Sequence, residues 1–480
     1  MDTARLRRDA QAIQTAALEA VMPERLVARR LAMGAGELAV DGRRFDPPIE
    51  LPAGGRIAVI GGGKAAAGLA AGVVTMLTRA GVDAGRITGL VSVPEGCGRQ
   101  VPGVEVRETR PAAVNLPTPA AIAATREMLA IVGGLAASDL AVAVITGGGS
   151  AALELPRAMV PLEDMTAVAR QLSAAGAGIT ELNLVRQAGS ELKGGGLARA
   201  CRAGRLLVLV LSDVIGDPLE VIASGPCLPA AGTATAALEV LSRFGAIATG
   251  AAPNLVAALQ RDADGDRARR AERQPASSRA ASPAPSGSWT TPAGCRVDHV
   301  LLGGNATAVE AATAAADALG YAVSTSQASA ACRETADEVG RRLVRKGLEL
   351  VAATVADGRP RAYVEGGEAV VQLPADHGRG GRNQQTAIAA LAELAATSSA
   401  WPAGLLVASI GTDGEDGPTD TAGGMIDAAV AASARQHGLD PAVAAARCDA
   451  GPLLEACGGL LITGPTGTNV ADLRLVLARP

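Results

Sequence analysis

The stretch Arg56-Ile57-Ala58-Val59-Ile60-Gly61-Gly62-Gly63-Lys64 decides the fold, because it joins a short apolar run to a glycine turn and a lysine. An alanine-rich stretch of helical character, residues 65–80, follows at once. An apolar run, a glycine turn and then a helix form the repeating unit of a parallel sheet that helices cover on both faces. The stretch therefore predicts a buried strand with Lys64 at its carboxyl end.

The same unit recurs along the chain. Apolar runs at 140–145, 206–211, 300–302 and 405–410 each lead directly into a turn that contains glycine. This alternation predicts the α/β class. In such sheets ligands bind beyond the carboxyl ends of the strands, which is where these glycine turns fall.

Composition narrows the class of protein. Hydrophobic residues make up 48% of the 480 residues but aromatic residues only 1%, so alanine, valine and leucine must build the core. Few aromatic surfaces are left for stacking on bases, and a net charge of −4 gives no basic surface for nucleic acid. The apolar runs are too short to span a bilayer. Scattered cysteines fit a cytoplasmic protein, and we expect neither nucleic acid nor membrane as a partner.

Residues 262–294 break the pattern with a mixed charge run and then a Ser/Pro/Ala-rich run without periodicity. This composition cannot bury a core and predicts a disordered linker or an inserted loop. We therefore expect an N-terminal domain over 1–258, a linker over 259–294 and a smaller C-terminal domain over 295–480. Both domains are expected to be α/β with mainly parallel sheets, and the N-terminal domain is expected to be Rossmann-like. We expect the substrate to bind in a cleft between the two domains.

Lysine is rare in this chain. Among 44 basic residues the lysines are Lys64, Lys193 and Lys346, and the first two adjoin runs of three glycines. A compact ammonium beside glycine backbone suits phosphate, although exposed lysines in loops would look the same. A Walker A loop is excluded because Ala58 and Ala65 stand where the motif requires a glycine and a hydroxyl residue. A dinucleotide-binding fingerprint is excluded as well, because no G-x-G-x-x-G is complete. A nest of backbone N–H groups with a lysine remains.

Acidic residues follow two of the apolar runs. Asp213 and Asp217 come just after residues 206–211, and Asp413 and Asp416 lie in a glycine-rich loop after residues 405–410. Carboxylates at strand ends can bind Mg²⁺ or accept a proton from a hydroxyl. An Asx turn with a helix cap is the alternative for the first pair, since Asp217 precedes proline.

A glycine-rich turn at 378–383 carries Arg382 and Asn383. Its arginine fork can bind a carboxylate or a phosphate through two parallel hydrogen bonds. A polar surface turn is the alternative.

Taken in order, these motifs resemble the glycerate 2-kinases of the MOFRL type, which are ATP-dependent enzymes of two α/β domains. The resemblance covers nearly the whole chain outside the linker. The matching motifs lie at 62–66, 146–151, 182–195, 212–219, 222–226, 366–368, 380–384, 411–420 and 463–470. In place of a loop Gly-His-Pro-x-Pro that many members carry, this chain has residues 110–119 without histidine.

The resemblance implies that ATP, with Mg²⁺, phosphorylates D-glycerate to 2-phosphoglycerate. It matches the family's catalytic lysine to Lys64 and its strand-end aspartate to Asp213, which acts as a base or as a Mg²⁺ ligand. We add the hypothesis that Arg382 clamps the glycerate carboxylate or a phosphate. The expected substrate- and nucleotide-binding residues are Gly62, Gly63, Gly148, Gly149, Ser150, Lys193, Asn383 and Asp413, and the expected Mg²⁺ ligands are Asp217 and Asp416.

Other functions stay open at this point. An NAD(P)H-dependent hydroxypyruvate reductase would need the dinucleotide fingerprint, which the chain lacks. A kinase for another small hydroxy acid and a binding protein without catalysis are further alternatives. The sequence does not decide whether the chain forms a homo-oligomer.

Overall fold

The computed structural model describes residues 3–34, 36–50, 54–112, 114–230, 232–272, 288–328, 333–397 and 400–480. Its α-helices are α1 (Thr3–Ala20), α2 (Pro23–Arg30), α3 (Ala66–Arg79), α4 (Pro119–Gly133), α5 (Gly149–Ala152), α6 (Leu162–Ala174), α7 (Ile179–Gly189), α8 (Gly196–Ala200), α9 (Ala234–Arg243), α10 (Pro253–Glu272), α11 (Asn305–Ala318), α12 (Ala336–Asp357), α13 (Arg382–Ala396), α14 (Ala428–Gln436), α15 (Pro441–Ala446) and α16 (Ala450–Cys457). Its strands are β1 (Leu31–Gly34), β2 (Glu37–Val40), β3 (Arg43–Glu50), β4 (Ile57–Gly62), β5 (Ile87–Pro94), β6 (Glu105–Arg110), β7 (Leu140–Thr146), β8 (Arg205–Leu211), β9 (Ser288–Thr290), β10 (Arg296–Gly303), β11 (Ala322–Gln327), β12 (Arg361–Gly367), β13 (Leu405–Gly411), β14 (Gly423–Ile426), β15 (Leu460–Leu461) and β16 (Asp472–Ala478).

These elements form two compact units. The larger unit comprises Leu26–Leu211 and Asp217–Leu302, and the smaller unit comprises Met1–Arg25, Ser212–Gly216 and Gly303–Pro480. Helix α1 packs on α11 of the smaller unit, where the Tyr321 hydroxyl donates to Asp9 at 2.7 Å. The N-terminal helix thus packs with the C-terminal elements, while the domain boundaries 1–258 and 295–480 stay a prediction.

The main sheet of the larger unit has the strand order β6-β5-β4-β7-β8-β10-β9. Strands β4 to β8 pair in parallel, and β4 and β7 are buried along their whole length. These five strands have the Rossmann order 3-2-1-4-5. The strand order reverses between β4 and β7, and in sheets of this kind ligands bind in the crevice at the carboxyl ends of the strands at that point. The predicted α/β class and the Rossmann-like N-terminal sheet are confirmed.

The sheet of the smaller unit has the order β11-β12-β16-β13-β14-β15. Strands β11 and β12 pair in parallel, but β16 is antiparallel to both β12 and β13, and β14 is antiparallel to β13 and β15. The expectation of mainly parallel strands therefore needs a correction for this sheet. Its last strand, β16, enters between two strands that run the same way.

Regular secondary structure occurs at both ends of the linker predicted at 259–294, which stays a prediction as a domain boundary. Helix α10 continues to Glu272 because apolar residues recur every four positions at Leu255, Leu259 and Ala263, which are buried. Arg157 also donates to Asp262 at 2.5 Å. At the other end β9 pairs with β10. The part of the predicted linker at 273–287 lies outside the described residues.

Local sequence explains where several helices begin. Thr118 caps α4 by accepting from the Ala121 N–H at 3.1 Å, and Thr335 and Glu338 form a capping box at α12. Helix α12 ends at Gly358 in the left-handed conformation. Within the described ranges, no helix combines the length and the apolar character needed to cross a membrane.

Candidate active site

The turn after β4 is tied to the turn after β7 at the switch point of the larger unit's sheet. The Lys64 N–H donates to the carbonyl of Gly147 at 2.9 Å, and the Ala65 N–H donates to Thr146 Oγ1 at 3.2 Å. Helix α3 begins one residue later. Lys64 is half-buried and stands where a parallel sheet of this order binds ligands.

The glycines of these turns permit the close approach. Gly63 has φ of 124°, and a Cβ there would lie 2.6 Å from the Thr146 carbonyl oxygen. A Cβ at Gly62 would lie 2.9 Å from the Ser92 carbonyl oxygen. Side chains at either position would separate the strand ends, which gives both residues a steric reason to be glycine. Their predicted contact with a ligand stays a prediction.

Gly148 and Gly149 continue the second turn. Gly148 is left-handed with φ of 75°, and a Cβ there would lie 2.8 Å from Nη2 of Arg110 and 3.7 Å from Cγ of Lys64. A Cβ at Gly149 would lie 2.8 Å from that of Ala223. Two cationic side chains therefore flank Gly148, which suits the phosphate site predicted for this turn.

Arg110, the last residue of β6, is one that the sequence reasoning missed. It is 4% exposed, and its Nη1 donates to the carbonyls of Pro111 at 3.2 Å and Val114 at 2.9 Å. It thereby holds the loop that replaces the family's histidine loop. The available signal was the position of Arg110 at the start of residues 110–119, which replace that loop.

Ser150 belongs to a buried chain of hydroxyl groups. Its Oγ lies 2.9 Å from Oγ of Ser224, whose hydroxyl donates to Asn183 Oδ1 at 2.8 Å. Ala223 and Ser224 have φ of 50° and 61°. Left-handed residues other than glycine are strained by about 1–3 kcal/mol each and cluster at functional sites. Ser224 lies in the motif at 222–226, but the sequence alone predicts no role for it.

Lys193 lies in the interior of the larger unit. The side chain is 1% exposed, and its ammonium donates to Glu154, which is also buried. Burial lowers the pKa of Lys193, while Glu154 opposes that effect. The ammonium has a carboxylate partner inside the protein, and the predicted contact with a nucleotide phosphate stays a prediction.

Asp213 follows β8 by two residues and is half-buried. Ser212 fixes the turn, because its Oγ accepts from the Val214 N–H at 3.2 Å. Nδ2 of Asn469, in the motif at 463–470, donates to Asp213 Oδ2 at 3.4 Å. Asp213 and Asn469 both belong to the smaller unit. The Asn469 amide therefore orients the predicted catalytic carboxylate.

Arg382 begins α13 and is held by an acid that sequence reasoning missed. Its Nε and Nη2 donate to the two oxygens of Asp472 at 2.7 and 2.9 Å, and its Nη1 lies 3.3 Å from Glu368. The charge of Asp472 raises the pKa of Arg382, and burial raises the pKa of Glu368. The Arg382 side chain is a third exposed.

Asn383 is buried, and its amide is used inside the protein. Its Nδ2 donates to Asp472 at 3.0 Å and to Asp416 at 3.3 Å, and its Oδ1 accepts from the Ser409 hydroxyl. These bonds give Asn383 a structural role that the predicted ligand contact would have to displace. Asp413 is half-buried, and its Oδ1 accepts from the Glu415 N–H at 3.1 Å.

The two aspartates predicted as Mg²⁺ ligands differ. Asp416 is 2% exposed, and its oxygens accept from the N–H groups of Asn383 at 2.9 Å and Gln384 at 2.8 Å. It therefore caps α13. Asp217 is half-buried in a turn with φ of 53°. In the part of the chain that the structure describes, no group of three or more His, Cys, Asp or Glu is arranged to hold a metal ion.

Comparisons with known proteins agree with the fold and these motifs. Residues 9–260 match the model of a domain of unknown function (DUF4147), and residues 361–472 match that of the MOFRL family. The chain is 35% identical to a glycerate kinase of Homo sapiens, over 99% of this chain and 94% of that protein. It is 33% identical to a putative hydroxypyruvate reductase of Agrobacterium vitis, over 88% of this chain and 87% of that protein.

A solved structure gives the same assignment. The crystal structure of glycerate kinase from Thermotoga maritima superposes with a TM-score of 0.76 at 30% identity, covering 99% of this chain and 100% of that chain. The chain is thus a two-domain α/β protein with a MOFRL domain. It belongs to the glycerate 2-kinase family of the MOFRL type, as the motifs predicted.

Proposed function

We propose that this protein transfers the γ-phosphoryl group of ATP to the 2-hydroxyl of D-glycerate, giving 2-phosphoglycerate and ADP. The observation that carries the proposal is Lys64 at the switch point of the parallel sheet, with its N–H bonded to Gly147 and Arg110 beside Gly148. Relatives named glycerate kinase support the same reaction.

Lys64 acts on the transferring phosphoryl group. Phosphoryl transfer depends mainly on positioning and on neutralising the charge of the equatorial oxygens. A flexible ammonium next to a glycine turn can follow those oxygens as the phosphoryl group moves. Gly148, Gly149 and Ser150 add polar groups from the turn after β7, to which the Lys64 N–H is bonded.

Asp213 acts as the base. The 2-hydroxyl gives its proton to the Asp213 carboxylate as its oxygen bonds to the γ-phosphorus, and the bond from that phosphorus to the β–γ bridging oxygen breaks, releasing ADP. The hydrogen bond from Asn469 supports this assignment, because it orients the carboxylate. In a phosphoryl transfer of this kind a positioned aspartate is the usual acceptor of the proton.

Arg382 and Asp413 contribute from the smaller unit. Asp472 fixes the guanidinium by Nε and Nη2, so a substrate carboxylate or phosphate would bind at the Nη1 edge in place of Glu368, which lies 3.3 Å from Nη1. Asp413 can accept from a substrate hydroxyl. We propose these contacts as substrate binding.

Mg²⁺ enters the proposal with the nucleotide. Mg²⁺ is bound in such enzymes through substrate phosphates, several waters and one or two carboxylates. Asp217 is the remaining candidate from the predicted pair, because both oxygens of Asp416 are used in capping α13. The described residues do not build a resident metal site.

A cytoplasmic location is part of the proposal. The described cysteines Cys201, Cys227, Cys295, Cys448 and Cys457 are free thiols, as is usual in a reducing compartment.

The test is a coupled assay of ADP release over D-glycerate, L-glycerate and other small hydroxy acids, with the position of the phosphate read by NMR. We expect D-glycerate to be the preferred acceptor and Lys64→Met to lower kcat/KM by about 100- to 1000-fold, as for loss of one group that stabilises transition-state charge. Lys346→Met is the matched control, since Lys346 forms an exposed pair with Glu349. Full activity of Lys64→Met, or oxidation of NADH that depends on hydroxypyruvate, would overturn the proposal.

A further inference from the structure

Arg186 lies on a face of α7 that packs on loops of the candidate site. Asn183, three residues earlier, donates to the Val221 carbonyl at 3.3 Å, and Gln187 donates to the Ser224 carbonyl at 3.2 Å. Side chains three and four positions apart lie on one side of a helix. Arg186 therefore faces the segment that contains the strained Ser224.

The charges around Arg186 do not balance. Its electrostatic partner is Glu154, but Glu154 already accepts from Lys193, and both members of that pair are buried. Two cations thus share one carboxylate in a largely desolvated place. Across the described ranges, no residue accepts a hydrogen bond from the Arg186 guanidinium or pairs with it within ion-pair distance. Arg186 itself is half-buried, so an anion that binds beside it gains a cation that no ion pair already occupies.

The same cluster also lacks a donor. Oε1 of Glu154 is buried and has no hydrogen-bond partner among the residues that the structure covers. A ligand that brings an anionic group for Arg186 and a hydroxyl or a water for Glu154 would satisfy both. Free guanidinium donors and an open carboxylate oxygen in one cluster indicate a polar ligand rather than a packed core.

The cluster is connected to the turn that carries Lys64. Glu154 follows Ser150 by four residues, and Ser150 is linked through Ser224 to Asn183 on the helix of Arg186. Gly194, next to Lys193, donates its N–H to the Ser224 carbonyl at 3.2 Å. All these residues belong to the larger unit, and the hydrogen-bonded chain leads from Ser150, in the turn after β7, to Asn183 on the helix that carries Arg186.

We infer that Arg186 binds an anionic group of the substrates, a carboxylate or a phosphate, at a second position of the site that Lys64 begins. The inference rests on the proposed kinase function, because it takes glycerate and ATP as the sources of those groups. The planar guanidinium can hold either group through two parallel hydrogen bonds. Arg186 is thus a substrate-binding residue, and Lys193 neutralises Glu154 beside it.

The test compares Arg186→Gln with the wild type by measuring KM for D-glycerate and for ATP separately. We expect one KM to rise about 10- to 100-fold, the effect of losing a hydrogen bond to a charged group, while the other changes little. A rise for D-glycerate assigns the carboxylate, and a rise for ATP assigns a phosphate. Arg186→Lys should recover part of the loss. The control is Arg202→Gln, an exposed arginine of the same unit.

A parallel measurement separates this inference from the proposed function. Calorimetric titration of wild type and Arg186→Gln with pyrophosphate and with D-glycerate needs no turnover. Weaker binding of either probe to the variant supports the inference even if the wild type fails to phosphorylate glycerate. Unchanged KM values together with unchanged binding of both probes by a folded Arg186→Gln variant would overturn it.

Discussion

Asp472 holds the guanidinium of Arg382 by two parallel hydrogen bonds, from Nε at 2.7 Å and from Nη2 at 2.9 Å. Asp472 begins β16, where its neighbours across the sheet are Gly367 on β12 and Gly411 on β13. Asp472 is 1% exposed. The buried acid thereby fixes the direction of an arginine whose side chain is a third exposed.

Asp472 is therefore expected to be a positioning residue for Arg382. Asp472→Asn keeps the size of the side chain but removes the charge, so Arg382 loses its fixed direction. Misplacement of a binding group by about 1 Å costs up to about 100-fold in rate, and we expect kcat/KM for glycerate to fall by about that factor. The measurement is steady-state kinetics with kcat and KM resolved, together with thermal unfolding.

The control is Asp420→Asn, which changes an exposed aspartate of the same unit. A positioning role predicts that Asp472→Glu recovers part of the activity. If Asp472→Asn lowers only the unfolding temperature and leaves both kinetic constants unchanged, the acid is structural and the assignment is wrong.

The pair formed by Lys193 and Glu154 gives a prediction about stability. Lys193→Met leaves Glu154 buried without its cation, which is expected to lower the free energy of unfolding by about 3–5 kcal/mol. Replacing both residues, as in Lys193→Met with Glu154→Leu, should restore most of it, because apolar residues of similar volume often replace buried ion pairs without loss. Urea denaturation followed by circular dichroism measures the difference.

Lys346→Met is the comparison for this pair, because its partner Glu349 is exposed and such pairs contribute about 0–1 kcal/mol. A stable Lys193→Met protein with a raised KM for ATP would mean that Lys193 contacts the nucleotide, as the glycine run beside it suggested.

Features that depend on neighbouring residues in the chain were predictable from the sequence. The apolar run and glycine turn around Lys64 predicted a buried parallel strand, and the switch point between β4 and β7 follows from the order of such strands. The family was confirmed because its motifs are local as well. Helix α10 was missed, since its charged residues hid the apolar positions at four-residue spacing.

Partners far apart in the chain were not predictable. Arg382 and Asp472 are 90 positions apart, and Asp213 and Asn469 are 256 apart. Their pairing depends on where β16 enters the sheet, which no local pattern specifies. The prediction of Asp416 as a Mg²⁺ ligand depends only on its place in an acidic loop, and it stays a prediction. Its role as a cap depends on the position of α13, which begins earlier in the chain.

Asp416 gives the last prediction, because burial raises its pKa to about 6 even though the N–H groups of Asn383 and Gln384 favour the charged form. In the unfolded chain the pKa is 3.8. Between these values the folded protein binds more protons than the unfolded one, so stability falls as pH rises from about 4 to about 6. The expected loss at this residue is about 3 kcal/mol.

Asp416→Asn imitates the neutral carboxyl and does not titrate. The free energy of unfolding of the wild type, measured relative to this variant in urea, should therefore decrease by about 2 kcal/mol between pH 4 and pH 7, the part of the full loss that falls in this range. Thr419→Val is the control, because it removes a neutral hydroxyl that donates to the Asp416 carbonyl at 2.7 Å and should shift stability equally at every pH. A difference between wild type and Asp416→Asn that stays constant from pH 4 to pH 7 would mean that the helix cap keeps Asp416 charged throughout.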